Sequence, residues 1–549
     1  MCCTWAQHVR CSPQQHPYYY PPKLHLLLPH KQRCCVTFFP IQPSFGYSCS
    51  QSLANSAPAH PYFHYFMQSR NQWHYFAVLC IMHRVAASYK KVTVLTMVVL
   101  LVACATSVQR QQAEQYSAKP VPIPPNPQQP GRPDTGYHYL VNGNYLKSGL
   151  PASLIKRFGL ADTANLLRRT GDNASLPYDY TTIYAPNGVK VVAPNCLYCH
   201  AQKWGDSVVV GMGNSLSDYS MPTIGSMMLA NAFMNATASP AEKAASANLL
   251  RAGKATAPYL VTASKGVNIA DRLTAVLAAH RNPASFVWQP TPQLSIPQQV
   301  VPTDVPAWWL LKKKNAMFYS GFGRGNFARF LMAANLLTVT DTSEAAEVLT
   351  HFNDVLAYLY SIEPPKYPHP INQPLAAQGK AVFNANCSKC HGSYGPGGTY
   401  PNLLIPTHII KTDSTLVQSN FSTPQFLQWF NKSWFAMGTQ PAALVPFNGY
   451  IAPPLDGVWC TAPYLHNASV PNLETLLNSS SRPTFWARNF EKPAYDYDKV
   501  GWQYTVSTKQ YTRSTYNTTL PGYSNAGHYF GDKLTTAERQ AVIEYLKTL

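Results

Sequence analysis

The first 113 residues contain no aspartate and no glutamate. Paired cysteines, scattered histidines and runs such as Pro17-Tyr18-Tyr19-Tyr20-Pro21-Pro22 stand there instead, and no heptad, strand alternation or helical period persists through them. Residues 1–81 therefore read as a leader ahead of a true start at Met82, or as a disordered basic extension. Cysteine is scarce in the rest of the chain. Seven of the 13 lie before residue 81, leaving Cys104, Cys196, Cys199, Cys387, Cys390 and Cys460, too few unassigned thiols for a disulfide framework. A large charge excess is also missing, since nine of the 43 basic residues precede residue 114 and the remaining 34 face 24 acids. No basic stripe or nucleic-acid motif accompanies that surplus, which excludes nucleic acid as an expected partner and suits a solvated surface or the steering of an acidic redox protein.

Long apolar runs are short of membrane length. His83, Arg84, Lys90 and Lys91 precede the 12-residue run Val92 to Ala103, which is a secretory signal by its basic flank and length and too short for a transmembrane helix. Leu101-Val102-Ala103-Cys104 resembles the bacterial lipobox. That resemblance implies a lipoprotein-type signal peptide over 82–103 and a mature protein lipid-anchored through Cys104, in the periplasm or at the outer membrane, with no other membrane contact. Residues 104–136 are rich in Gln and Pro, and six prolines between Pro120 and Pro130 favour an extended tether.

Against these absences stand two pentapeptides, Cys196-Leu197-Tyr198-Cys199-His200 and Cys387-Ser388-Lys389-Cys390-His391. The spacing lets two thiols each form a thioether to a haem vinyl group while the adjoining histidine reaches the iron, so each motif reads as a covalent haem c site rather than a zinc half-site. Two haem c groups are expected, on His200 and His391. The segment Gly379 to Asn386 before the second motif is a short amphipathic helix. It resembles the first helix of cytochrome c domains, where a glycine permits close packing and an aromatic residue four places before the first cysteine lies beside the haem. The first motif lacks that prelude: Val191 to Asn195 looks extended, and Pro194 forbids a regular helix leading in.

After the tether, roughly 410 residues are enough for two domains. A helix is predicted from Ser343 to Tyr360, capped by Asp341 or Ser343 and stopped at Glu363-Pro364-Pro365. The boundary falls there, giving an N-terminal haem domain over 137–366 and a C-terminal cytochrome c domain over 367–549. The expected class is mainly α: two cytochrome c-like haem domains with long loops and a few short strands. Gly321 to Asn326 and Gly211 to Asn214 look faintly like dinucleotide loops, but no strand-turn-helix unit frames them, so they read as tight turns.

The stretch Tyr450-Ile451-Ala452-Pro453-Pro454-Leu455-Asp456-Gly457-Val458-Trp459-Cys460-Thr461-Ala462-Pro463-Tyr464-Leu465-His466 resembles one shared by the bacterial di-haem cytochrome c peroxidases. Together with Val192 to Cys196, Lys312 to Tyr319 and Asn525 to Gly531, it makes the chain from residue 137 similar to the rubber-oxygenase-like branch of that group. Cys460 departs from the alanine more usual in the family and is expected to be a buried, inert thiol. The resemblance implies His528 as distal ligand of the second haem, with His466 and then Met437 as rivals. The stretch Trp308 to Phe330, which includes Phe322, is rich in aromatics and contains no histidine, so it reads as a distal pocket that leaves the first iron open, or simply as core, with Trp309 as a bridge between the haems. A haem with an open face binds dioxygen or peroxide, whereas one with two strong protein ligands passes electrons. The function so implied is an oxidoreductase that activates peroxide or dioxygen at His200 and relays electrons through the second haem. A redox protein or quinol-linked donor and a small oxidant or apolar substrate are its expected partners. An electron carrier with both haems six-coordinate is the alternative.

Overall fold

Proline and glycine set where the chain turns regular. The computed structural model describes residues 117–157 and 164–549, so the leader, the signal sequence, Cys104 and the start of the tether lie outside the described residues. The later part of the tether is extended, as its prolines require, and it lies against the folded body. Strand β1 (Val121–Pro122) pairs antiparallel with β8 (Leu403–Pro406), Ile123 is buried, and the Gln128 side chain donates to Gly325 O at 3.0 Å and accepts from Phe327 N at 2.8 Å. Regular structure then starts at Pro133, four residues before Tyr137. Helix α1 (Pro133–Asn142) opens on a proline, which costs no hydrogen bond at a first helical position.

Three antiparallel strands follow, β2 (Leu150–Pro151), β3 (Tyr180–Tyr184) and β4 (Lys190–Pro194), with β4 in the middle. They lead into α2 (Leu197–His200) and the hairpin β5 (Ala201–Trp204) with β6 (Ser207–Val210). Gly321 at φ 60° and Gly325 at φ 83° make the expected turns around the short strand β7 (Gly323–Gly325), which pairs with β9 (Ala442–Leu444). Helix α3 (Thr342–Ser361) matches the predicted span within a residue at each end. Asp341 is its cap, accepting from Ser343 N and Glu344 N, and the helix stops short of Pro364. Helix α4 (Gln373–Asn386), capped by Asn372, runs into α5 (Ser388–His391); β10 (Gly449–Ile451) joins β8, and α6 (Thr536–Leu546) ends the fold.

Two helix pairs cross at glycine. A Cβ on Gly379 of α4 would lie 1.8 Å from Ala541 O of α6, and one on Gly136 of α1 would lie 1.9 Å from Asp354 O of α3. Neither backbone carbonyl can give way, so only glycine lets the axes come this close. The α4–α6 pair is the one expected from the sequence before Cys387. The α1–α3 pair is its counterpart for Cys196, separated from that motif by the β2–β4–β3 sheet, which is why no helical prelude is visible next to Cys196.

The mainly α expectation is corrected to a mixed α/β architecture. Among the described residues 15 α-helices stand beside 15 strands of two to five residues each. Strands that short show no alternation a sequence could reveal. No helix among the described residues is long and apolar enough to cross a membrane. The packing divides into two large apolar clusters. One holds Leu140, Leu197, Trp308, Phe322 and Phe352, and the other Trp309, Phe383, Trp459 and Trp502. Trp308 and Trp309 are neighbours in one 3-10 turn, yet their side chains enter different clusters.

Candidate haem-binding centres

At the first motif, the strand β4 delivers Cys196 and a side chain starts the helix. Asn195 Oδ1 accepts from Leu197 N at 2.9 Å while its Nδ2 donates to Tyr178 O and Thr181 Oγ1. Cys196 N donates to the buried Tyr145 hydroxyl at 3.0 Å, which ties the motif to the end of α1. Burial pushes the Cys196 thiol up to about 11 and raises that of Cys199 as well, so neither is an activated free nucleophile at neutral pH. The His200 ring stacks on Trp308 at 4.2 Å and 14°. Burial lowers its pKa to about 3, which keeps the imidazole neutral, the form that ligates a metal. Its Nδ1 is buried with no hydrogen-bond partner.

At the second motif, α4 supplies the approach. Phe383 is 2% exposed, with its ring 5.3 Å from Tyr545 and 6.1 Å from Tyr394. Cys387 N donates to Phe383 O, and His391 Nδ1 donates to Pro453 O at 2.8 Å. That carbonyl fixes the proton on Nδ1 and leaves Nε2 as the ligating nitrogen. His528 stands opposite. The two ring centroids are 6.1 Å apart, the separation expected when two metal–nitrogen bonds of about 2 Å and two half-rings lie in line. Burial lowers the His528 pKa to about 3, and its Nδ1 too is buried without a partner. His528 adopts φ 51°, and its N–H donates to Ile410 O at 2.7 Å; Arg482 donates to Asn525 O and Gly527 O just before it.

The other expected residues are placed as follows. His466 is buried, stacks on Tyr450 at 4.1 Å and shares a 3.1 Å hydrogen bond between its Nε2 and the Tyr450 hydroxyl, so that nitrogen is engaged within the protein. Met437 is 47% exposed. Trp309 is 1% exposed and donates from Nε1 to Asp456 O at 2.8 Å, while Lys313 Nζ lies 2.7 Å from Asp456 Oδ1. Phe322 is buried in the same cluster as Leu197 and Ala201, which flank the first histidine. Cys460 is 1% exposed, donates to Gly457 O at 3.1 Å, and burial pushes its thiol well up.

Trp308 is the residue that sequence reasoning passed over. It lies on the His200 ring itself rather than across from it, and only the pitch of the 3-10 turn decides which of two adjacent tryptophans does so. Pro453 was quoted for family likeness, but its hydrogen bond to His391 gives it a part of its own. Four residues of one segment, Pro453 to Asp456, thus hold both His391 and Trp309. The residues at both motifs fit covalent haem: paired thiols, a neutral buried imidazole beside them, and at the second motif a facing imidazole at metal-bridging distance. Among the described residues no group of three or more His, Cys, Asp or Glu is placed to hold a bare metal ion.

Residues 449–487, which include Pro453, Asp456 and His466, match the family described as RoxA-like, cytochrome c-like. Two uncharacterized proteins of Sinorhizobium fredii are similar to the chain. The protein y4iJ is 30% identical over 34% of this chain and 41% of its own length, and y4iM is 27% identical over 46% and 66%. The chain spans less than two thirds of either relative. It carries a stretch like the RoxA-like, cytochrome c-like domain, a likeness that implies covalently bound haem c.

Proposed function

We propose that the chain is an exported di-haem c-type cytochrome oxidoreductase, with peroxide or dioxygen activated at the first motif and electrons relayed through the second. The observation that carries this reading is the inequality of the two histidines. His391 faces a second imidazole at 6.1 Å, whereas His200 meets Trp308, and among the described residues no imidazole stands across from it at such a spacing. Haem held on His200 alone supplies an open position for an oxidant, and haem held between His391 and His528 supplies electron transfer only.

The surrounding residues divide the work. Cys196 and Cys199 hold the first group and Cys387 and Cys390 the second. Trp308 fixes the plane of the His200 ring. Phe322 and its apolar neighbours keep water from the first site. The Pro453 carbonyl holds the His391 proton at Nδ1, and Trp309, hydrogen-bonded to Asp456 O, bridges the two sites through the same segment. A redox protein or quinol-linked donor is the electron source, and a peroxide, or dioxygen with an apolar substrate, is the oxidant. Export by residues 82–103 and a lipid on Cys104 place this chemistry in the periplasm or at the outer membrane. The test is the spectrum of the reduced protein under carbon monoxide. A shift in one of two haems is expected. No shift in either would show both irons to be six-coordinate and would replace the enzyme with an electron carrier.

A further inference from the structure

The two apolar clusters arrange their aromatics differently. In the first, Phe286, Phe330, Phe430 and Phe435 adjoin one another, with Trp429 and Trp434 beside them. Beside the second, tryptophan and tyrosine form a continuous series. Trp204 stands four residues after His200 on β5, with its ring 5.8 Å from Trp459 and 4.9 Å from Tyr495. Tyr497 lies 5.3 Å from Tyr495 and 6.3 Å from Trp459; Tyr367 lies 5.5 Å from Trp459. His369, exposed at the surface, closes the series 4.4 Å from Tyr497. Trp459 is 3% exposed and Tyr497 half-buried, so the rings run from interior to surface in steps of at most 6.3 Å. At its inner end Trp204 lies on the strand that directly follows His200, and the Trp309 indole packs on Gly457, two residues before Trp459.

We infer that this series is an exit for oxidising equivalents from the first motif, ending at Tyr497. Phenylalanine fills apolar space as well, as Phe330, Phe430 and Phe435 do in the first cluster. Tryptophan and tyrosine differ from it in being able to lose one electron to a strong oxidant. The inference rests on the proposed reduction of peroxide at the first site. Hydrogen peroxide reduced to two waters takes two electrons and two protons, and its O–O bond breaks. When the reduced redox partner supplies only one electron, the second comes from Tyr497 by way of Trp459 or Tyr495 and Trp204. The Tyr497 hydroxyl gives its proton to water, and a neutral phenoxyl radical is left near the surface, away from the first site.

The experiment adds hydrogen peroxide to the holoprotein with a nitroso spin trap, then locates the adduct by peptide mass spectrometry and the radical by freeze-quench electron paramagnetic resonance. In the wild type the adduct is expected on Tyr497. Tyr497→Phe, which removes one hydroxyl, should abolish that adduct and the tyrosyl signal while leaving the carbon monoxide spectrum unchanged. Trp459→Phe should lower labelling of Tyr497 several-fold and speed haem bleaching by peroxide. A normal carbon monoxide shift with no adduct on Tyr497, or with an adduct indifferent to Trp459→Phe, overturns the exit path and leaves the proposed function standing. Absence of any carbon monoxide shift overturns both.

Discussion

His528 is held in the left-handed region, φ 51°, a conformation that costs a non-glycine residue about 1 kcal/mol. The Ile410 carbonyl and the Arg482 bonds to the preceding loop keep it there, and the result is an imidazole facing His391. His528→Ala should leave the chain folded and both haems attached, and convert the second haem from low to high spin in its visible and paramagnetic resonance spectra; a low-spin second haem in the variant would pass the role to another side chain, with His466 first in line. A second residue gives a pH dependence. Burial raises the pKa of Asp304 to about 7, only partly offset by the 2.6 Å hydrogen bond from the Tyr319 hydroxyl. Its folded value lies above the unfolded one, so its contribution to stability is complete below about pH 4 and is lost as pH rises to about 7. In Asp304→Asn, which still accepts from Tyr319, Tm relative to wild type should climb across that window and level off above it. A difference independent of pH would show that the carboxyl titrates normally.

At the scale of elements, the close crossings at Gly379 and Gly136 oppose local preference. In an open helix, Gly→Ala adds about 1 kcal/mol of stability. At Gly379 the new methyl would meet Ala541 O at 1.8 Å, and separating α4 from α6 should cost about 1–3 kcal/mol net, read as a lower Tm and a disturbed Phe383 environment. A stabilised Gly379→Ala would mean the two helices have room to part. Elements set by neighbours in sequence could be read in advance. Helix α3 declared itself by period, cap and terminating prolines, and α4 by its run into Cys387. Strand β1 could not, because its partner β8 lies some 280 residues away and two residues carry no pattern. The α1–α3 crossing was hidden for the same reason. Its glycine is 60 residues from the motif it supports, where Gly379 is eight from its own.

For the whole molecule, the proposed attachment residues could be named from spacing alone, because thioether chemistry demands a local motif. The residue facing His391 was not: His528 is 137 positions further on and entered only through family likeness. Nor did the sequence distinguish Trp308 from Trp309, since the direction of each indole is decided by which of two packed clusters receives it. With both motifs intact, pyridine haemochrome assay should find two covalent haems per chain, and one after Cys387→Ala with Cys390→Ala. One haem in the wild type would remove the relay and with it the division of labour proposed for the two sites.

The docking of residues 117–132 on the body bears on reach. With Ile123 buried and Gln128 bonded to the β7 turn, these residues are not free line between protein and lipid. If Cys104 carries the anchor, the 13 steps from it to Ser117 can span at most about 45 Å. The patch of surface where Ser117 emerges then stays within that distance of the bilayer. A donor or an apolar substrate would be met close to the membrane and not deep in the periplasm.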